Sequence, residues 1–286
     1  MARLRTVQIS ALNIAMENPH SPAAYVELFL HAYRQRQVIR DGELHAMMLG
    51  SLSGARDAVD RDELTGEIFR FVKINANEPW FNTRTNEVAS EEEMEAINIP
   101  EHLRAQFQRI EFVFYPRSHQ LWFLRRSGSD ALGPRRAESF FQSLFDGVRR
   151  DADPPVYVTC LPDPAALDEM FGIHRIQKLV LEFKRPNPDD VGALSARIMR
   201  RMEEQRVGTY REELTASGAA GLQPDQQTRA EAAVAAMNGV VAAKGKDVDG
   251  NTVERSTQDK PMVLARRYNP EVETAVHVLH RAKAGQ

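Results

Sequence analysis

The chain has 286 residues, a hydrophobic fraction of 42%, a charged fraction of 27% and a formal net charge of −3; it can bury a core as one large domain or two smaller ones. A charge so close to neutral excludes a general pull toward nucleic acid or anionic membrane, so any such binding must come from a local patch. A single cysteine, Cys160, excludes an intrachain disulfide and a Cys-rich zinc module, no apolar run approaches the roughly 18 residues of a membrane span, and the opening MARLRTVQIS lacks the apolar stretch of a secretion signal, so a reducing cytoplasm is the expected compartment.

Residues 6–15 put Val7, Ile9 and Ala11 on one side, the alternation of a strand. Ser21-Pro22 opens a helix: serine caps, and proline suits the first turn because its missing N–H would have no partner there. Tyr25, Leu28, Phe29 and Ala32 recur behind it at helical spacing. Segments 43–52 and 64–74 read as strands, the second mixing Ile68, Phe69 and Ile74 with polar residues as a half-buried strand does. Residues 77–86 form a loop whose adjacent aromatics, Trp80 and Phe81, are expected to fold back onto the core, a binding surface being the alternative. Ser90 with Glu93 makes a capping box for a short acidic helix that ends at Asn98-Ile99-Pro100. Residues 108–126 are the clearest hairpin, two aromatic-rich runs joined by Pro116-Arg117-Ser118-His119. Pro134 then opens a helix whose Ala137, Phe140, Phe141, Leu144 and Val148 form a stripe that must face a sheet.

Residues 151–155, with two successive prolines, are the linker candidate. Beyond them come a strand at 156–161, a helix at 164–171, a long strand at 173–184 and a helix from Asn187-Pro188-Asp189-Asp190 to about Gln205. Segment 209–225 has no firm period, and the Ala-rich 226–237 reads as helical. A second hairpin at 240–257 turns around Asp249-Gly250. A strand at 261–268 and a helix at 270–283 finish the chain. The expected fold is α+β, with mostly antiparallel sheets and packed helices in two lobes, 1–150 and 151–286.

The sharpest enzymatic pattern is Pro162-Asp163 followed by Glu182-Phe183-Lys184. In nucleases of the PD-(D/E)xK type an Asp and a Glu bind Mg²⁺ and a Lys polarises the phosphate or the attacking water. Glu182 and Lys184, two apart on a strand, face one side as that chemistry needs. The competing reading is a solvent-facing charge pair, since E-x-K is a common triplet and Asp163 precedes a helix. Glu273, His277 and His280 have the spacing of metal ligands on one helix face, without the H-E-x-x-H pattern, and an exposed helix face is the alternative. Cys160, in an apolar strand, reads as a buried structural thiol. Walker A, G-x-G-x-x-G, G-x-S-x-G and kinase motifs are absent. With no complete catalytic set, the chain reads as non-catalytic and free of cofactors, Mg²⁺ entering only with the nuclease alternative.

Arginine occurs in pairs, among them Arg200-Arg201 and Arg266-Arg267. Arg197, Arg200 and Arg201 share a helix face opposite Val191, Leu194, Ile198 and Met202. Arg175, Lys178, Lys184 and Arg185 add charge from the preceding strand, and one of Arg266 and Arg267 extends the patch, because neighbours on a strand point opposite ways. Such a surface suits contact with phosphates and is indifferent to base sequence. The competing reading is a solvated helix face offset by Glu203 and Glu204.

The order of blocks resembles a bacterial family of unknown function met near mobile elements and defence genes. The residues that carry the resemblance are Gly66-Glu67-Ile68-Phe69-Arg70-Phe71, Trp80-Phe81-Asn82, Ile99-Pro100 before Phe112-Val113-Phe114, Arg185-Pro186-Asn187-Pro188-Asp189-Asp190 and Lys246-Asp247-Val248-Asp249-Gly250-Asn251. The second half, from Pro155 through the 240–257 hairpin, is similar in layout to RexA, the phage-exclusion protein of lambda, and more loosely to KwaB of the Kiwa defence system. The resemblance implies a two-lobed α+β protein that binds DNA without sequence preference, as a homodimer, in phage defence. A structural subunit that binds a partner protein encoded nearby is the remaining class. The chain departs from the RexA-like pattern in being mildly acidic overall.

Overall fold

A computed structural model describes residues 4–17, 20–73, 78–97, 99–100, 102–125, 132–150, 153, 155–184 and 193–285. In chain order, β1 (Arg5–Met16), α1 (Pro22–Gln35), β2 (Ile39–Asp41), β3 (His45–Ser53), α2 (Ala58–Arg61) and β4 (Leu64–Val72) come first. A small excursion, β5 (Phe81–Asn82), β6 (Glu87–Val88) and α3 (Glu91–Glu95), leads into β7 (Ala105–Tyr115), β8 (Gln120–Arg125) and α4 (Pro134–Val148). Then follow β9 (Val156–Cys160), α5 (Ala165–Phe171), β10 (Arg175–Lys184), α6 (Ala193–Glu204), β11 (Thr209–Thr215), α7 (Gln226–Asn238), β12 (Gly239–Lys246), β13 (Thr252–Ser256), β14 (Leu264–Tyr268) and α8 (Ala275–Ala284). The fold is α+β, and the strands named here pair antiparallel.

The larger sheet runs β14-β1-β8-β7-β4-β3-β2, with β9 also on β1. β1 is long enough to hold two partners on one edge. Its residues 5–9 take β14 and residues 12–16 take β9, while 8–13 pair with β8 on the other edge. One face of this sheet is buried along its core strands, and the opposite face is buried over β1, β8 and the C-terminal part of β7. Leu12, Ile14, Phe112, Phe114 and Phe123 pack on Phe29 of α1 and on Phe141 and Phe145 of α4. On the opposite face Val7, Ile9, Val113, Trp122 and Leu124 pack on Val278, Leu279 and Ala282 of α8. The α1 helix starts where the cap was expected: the Ala24 N–H donates to Ser21 Oγ at 3.2 Å, with Pro22 in the first turn. Ser21→Ala should therefore cost about 1 kcal/mol, measurable as a shift in urea midpoint at constant slope; an unchanged midpoint would show that water replaces the cap without loss.

The second sheet runs β11-β10-β12-β13. Leu179, Leu181, Phe183, Val241 and Ala243 face a helix layer that supplies Met170 from α5, Ile198 and Met202 from α6, and Ala232, Ala235 and Ala236 from α7. The two sheets meet where Asn13 of β1 donates from Nδ2 to Asn238 Oδ1 at 2.9 Å and to the Met237 carbonyl at 3.3 Å.

The sheets do not separate at the expected boundary between residues 150 and 151. β9 and β14 both pair with β1, and α8 packs on the larger sheet, so the α5–β13 stretch is inserted between two strands of that sheet. The physical reason is the length of β1: an unpaired edge of that length exposes a row of N–H and C=O groups, and strands from the second half of the chain cover it. Of the linker candidate, Asp153 and Pro155 are among the described residues. The expected helix start at 187–190, with Arg185 and Val191, lies outside them. Segment 209–225, expected to be irregular, contains the edge strand β11. Phe81, expected to fold back on the core, is 61% exposed in β5. Among the described residues no helix is long and apolar enough to cross a membrane.

Candidate nucleic-acid interface

Strand alternation sorts the second sheet into two chemically different sides. Opposite the helix layer, β10 presents Arg175, Lys178, Val180, Glu182 and Lys184, β11 presents Arg211 and Glu213, β12 presents Val240, Ala242, Lys244 and Lys246, and β13 presents Glu254. The helices that pack on this sheet share the Leu179–Leu181–Phe183 side. Among the described residues the other face is therefore a platform of charged side chains around a short apolar centre of Val180, Val240 and Ala242.

Register places like charges opposite one another on it. Arg175 pairs with Lys246, and across the bulge at Ile176/Lys178 the next pair is Lys178 with Lys244. Like charges directly opposite in an antiparallel pair are destabilising. Part of the charge is answered sideways: Lys178 reaches Glu213 at 2.6 Å and Lys244 reaches Glu254 at 2.5 Å, with Arg211 also on Glu213 at 3.4 Å. The Lys178 ammonium holds the Glu213 carboxyl below its usual range, and Lys244 does the same to Glu254. The Arg175–Lys246 row continues into Thr252 rather than a carboxylate. Arg175 and Lys184 have no ion-pair partner among the described residues. The platform offers phosphates several cations at strand spacing and, among the described residues, no aromatic ring on which a base could stack.

The α6 arginines sit on the other side of the sheet. Arg197 Nη2 lies 2.6 Å from Glu231 Oε1 of α7. Arg201 lies over the Tyr210 ring, 4.7 Å from its centroid, and donates to the Tyr210 hydroxyl at 3.1 Å. Arg200 is exposed, with no hydrogen-bond or ion-pair partner among the described residues. Arg266 and Arg267 belong to β14 in the larger sheet, opposite Val7 and Thr6. The structure thus splits the expected patch into three places. It brings Arg175, Lys178 and Lys184 together with Arg211, Lys244 and Lys246, cations that the reading of one helix and one strand missed. The signal was the second hairpin itself: once 240–257 is paired beside the long strand, alternation puts Lys244 and Lys246 on the face of Lys178.

The nuclease constellation is not assembled. Glu182 and Lys184 do share a face, but Asp163 lies at the start of α5, its Oδ1 accepting the Ala165 N–H at 2.8 Å, beside Ala233, Ala236 and Met237 of α7. That is the helix side of the sheet, and Glu182, alternating with the buried Leu181 and Phe183, points to the other. The metal spacing at 273–280 fails for a different reason. The α8 helix begins at Ala275, capped by Thr274, so Glu273 is off the helix and binds Arg281 at 2.6 Å. His280 turns inward instead: its Nδ1 is 2.8 Å from the Tyr115 hydroxyl and its Nε2 3.3 Å from Glu63. Burial, with Glu63 and Asp62 nearby, pushes the Tyr115 phenol well above its usual range, so it stays protonated. The Cys160 thiol is likewise pushed up, first by burial and then by Glu138, and a thiol held protonated is a poor nucleophile.

No curated protein matches the chain by sequence. Residues 5–283 match the family described as Domain of unknown function (DUF4747), which spans the larger sheet, the inserted sheet and α8 alike, and the chain belongs to that family.

Proposed function

We propose that the protein is a non-catalytic DNA-binding protein that holds the duplex backbone, without sequence preference, on the open face of the β11-β10-β12-β13 sheet. The observation that supports it most is the pair of adjacent like-charge rows, Arg175 opposite Lys246 and Lys178 opposite Lys244. Glu213 and Glu254 offset the Lys178–Lys244 row, the Arg175–Lys246 row has no such carboxylate among the described residues, and a bound phosphate converts its repulsion into shared attraction. Among the described residues the face has no aromatic side chain, which favours the phosphate backbone over unstacked bases. With only a near-neutral chain behind the platform, a homodimer would double the contacts and raise the effective affinity. The place of this activity in cytoplasmic phage defence is part of the proposal and rests on the resemblance of the second half's sequence to RexA, not on the fold.

The test is fluorescence anisotropy with labelled duplexes of unrelated sequence across a salt series. Binding should be sequence-indifferent at low salt, and its log–log salt slope should shallow by about 0.9 for each phosphate contact removed. Replacing Arg175, Lys178, Lys244 and Lys246 together with alanine should weaken binding at least about tenfold at low salt. Replacing Arg197, Arg200 and Arg201, on the opposite side, should leave it unchanged. Absence of binding at low salt, or loss confined to the α6 replacement, would overturn the assignment.

A further inference from the structure

We infer that the cleft between α6, α7 and β11 is a binding site for a small zwitterion of the amino-acid class. The cleft encloses about 460 Å³, within the range of small-molecule sites. Its floor is apolar, formed by Phe183 and Ile198, and its rim alternates in sign. On one side Arg197 is bound to Glu231, which also accepts from Gln227 Nε2 at 3.0 Å. On the other, Arg201 donates to the Tyr210 hydroxyl, which donates in turn to Glu212 at 3.3 Å. The cleft thus holds two arginine–glutamate couples, one closed directly and one bridged by a phenol.

Charge balance selects the ligand. A plain anion entering this space would meet two carboxylates, and a plain cation two guanidiniums. A molecule carrying both signs can enter the Arg197–Glu231 pair without leaving either charge unanswered: its carboxylate meets Arg197 and its ammonium meets Glu231. The exposures suit that exchange, since the Glu231 side chain is 12% exposed and fixed by two partners while Arg197 is 58% exposed and can swing outward. A flat nucleobase is a poorer fit, because the Tyr210 ring is already covered by Arg201 and stacked with Phe183 at 5.7 Å. The site uses none of the open-face cations, so it stands or falls separately from DNA binding.

The experiment is titration calorimetry of the full chain with each of the twenty common L-amino acids, with acetate and methylammonium as single-sign probes. At least one amino acid should bind saturably, and acetate and methylammonium should not bind at the same concentrations. The N-acetylated and C-amidated forms of the binder should each lose at least tenfold in affinity, which separates a free amino acid from the end or side chain of a peptide. Glu231→Gln, close in shape, and Arg197→Ala, at an exposed position, should each weaken binding tenfold or more while circular dichroism stays unchanged. Binding by no amino acid, equal binding by acetate, or full affinity in both variants would overturn the inference. DNA affinity measured in Glu231→Gln should match the parent.

Discussion

Asp41→Ala should lower the unfolding free energy by about 3–5 kcal/mol. Arg70 lies in the middle of β4 with its side chain 1% exposed, on the face of Leu64 and Ile68 that packs against α1 and α4. A guanidinium carried so far from water is tolerated only with a counter-charge and hydrogen bonds. Asp41, at the end of β2 and 7% exposed, supplies one at 2.9 Å from Nε. Arg136 of α4 approaches the other carboxylate oxygen at 3.7 Å, but it is 58% exposed and contributes little beside Arg70. Removing the carboxylate takes a close counter-charge away from a buried guanidinium, and this loss exceeds what the intact pair contributes. The double replacement Asp41→Leu with Arg70→Met should recover most of the loss, because two apolar groups of similar volume need no partner. Urea unfolding of the three variants measures both effects. A loss under about 1 kcal/mol in the single variant would mean that water reaches Arg70 and that the pair behaves as a surface one.

The contrast between Arg70 and the α6 arginines shows which features the sequence made legible. Local patterns are legible where a residue's task is set by its neighbours in the chain. The capping box forms as expected, with Glu93 Oε2 accepting the Ser90 N–H at 2.9 Å and Ser90 Oγ accepting the Glu93 N–H at 3.3 Å. The α4 stripe is buried, and both hairpins are present. The second hairpin closes over a wider turn than Asp249-Gly250 alone: the Asp247 N–H donates to the Asn251 carbonyl, and the Asp247 carboxylate accepts from the backbone of Asp249 and Asn251. Those donors hold Asp247 below its usual range, so this turn contributes fully above ordinary carboxylate pH and weakens as pH falls through that lowered value.

What remained illegible depends on contacts far apart in the chain. β11 has Tyr210 and Leu214 on its inner face with Glu212 between them, too polar a run to announce a strand, and becomes one because β10 offers it an edge. The return of β9 and β14 to the larger sheet is illegible for the same reason, since only the assembled sheet shows that both pair with β1. The side-chain partners of the arginine patch are equally hidden: Arg197 and Arg201 share a helix face as the spacing requires, yet that face looks onto Glu231 and Tyr210 rather than solvent alone. The platform is half visible in the sequence, in Arg175, Lys178 and Lys184, and is completed by residues as far off as Lys246, 71 positions from its partner Arg175.

Gly239→Ala should cost about 3 kcal/mol and disorganise the second sheet ahead of the first. Gly239 joins α7 to β12 in an extended conformation, so the constraint is space rather than backbone angle. A Cβ there would stand 2.0 Å from the Glu182 carbonyl oxygen of β10, an impossible separation that no rotamer can relieve because the obstacle is backbone. At the other end of β12, a Cβ on Gly245 would stand 2.2 Å from the Arg175 carbonyl oxygen. The two glycines therefore let β12 lie close to β10 at both ends, and that closeness keeps Lys244 and Lys246 in register with Lys178 and Arg175. A methyl group at residue 239 must push the strands apart or shift the register, and a one-residue shift would turn the β12 lysines to the helix side. Hydrogen exchange should show the amides of β10 and β12 losing protection while those of β4 and β7, in the larger sheet, keep it. The proposed DNA binding should fall with the sheet, without any change in the cations themselves. Full protection of β10 and β12 in Gly239→Ala, with parental DNA affinity, would show that the strands can part locally and that their close approach does not set the geometry of the platform.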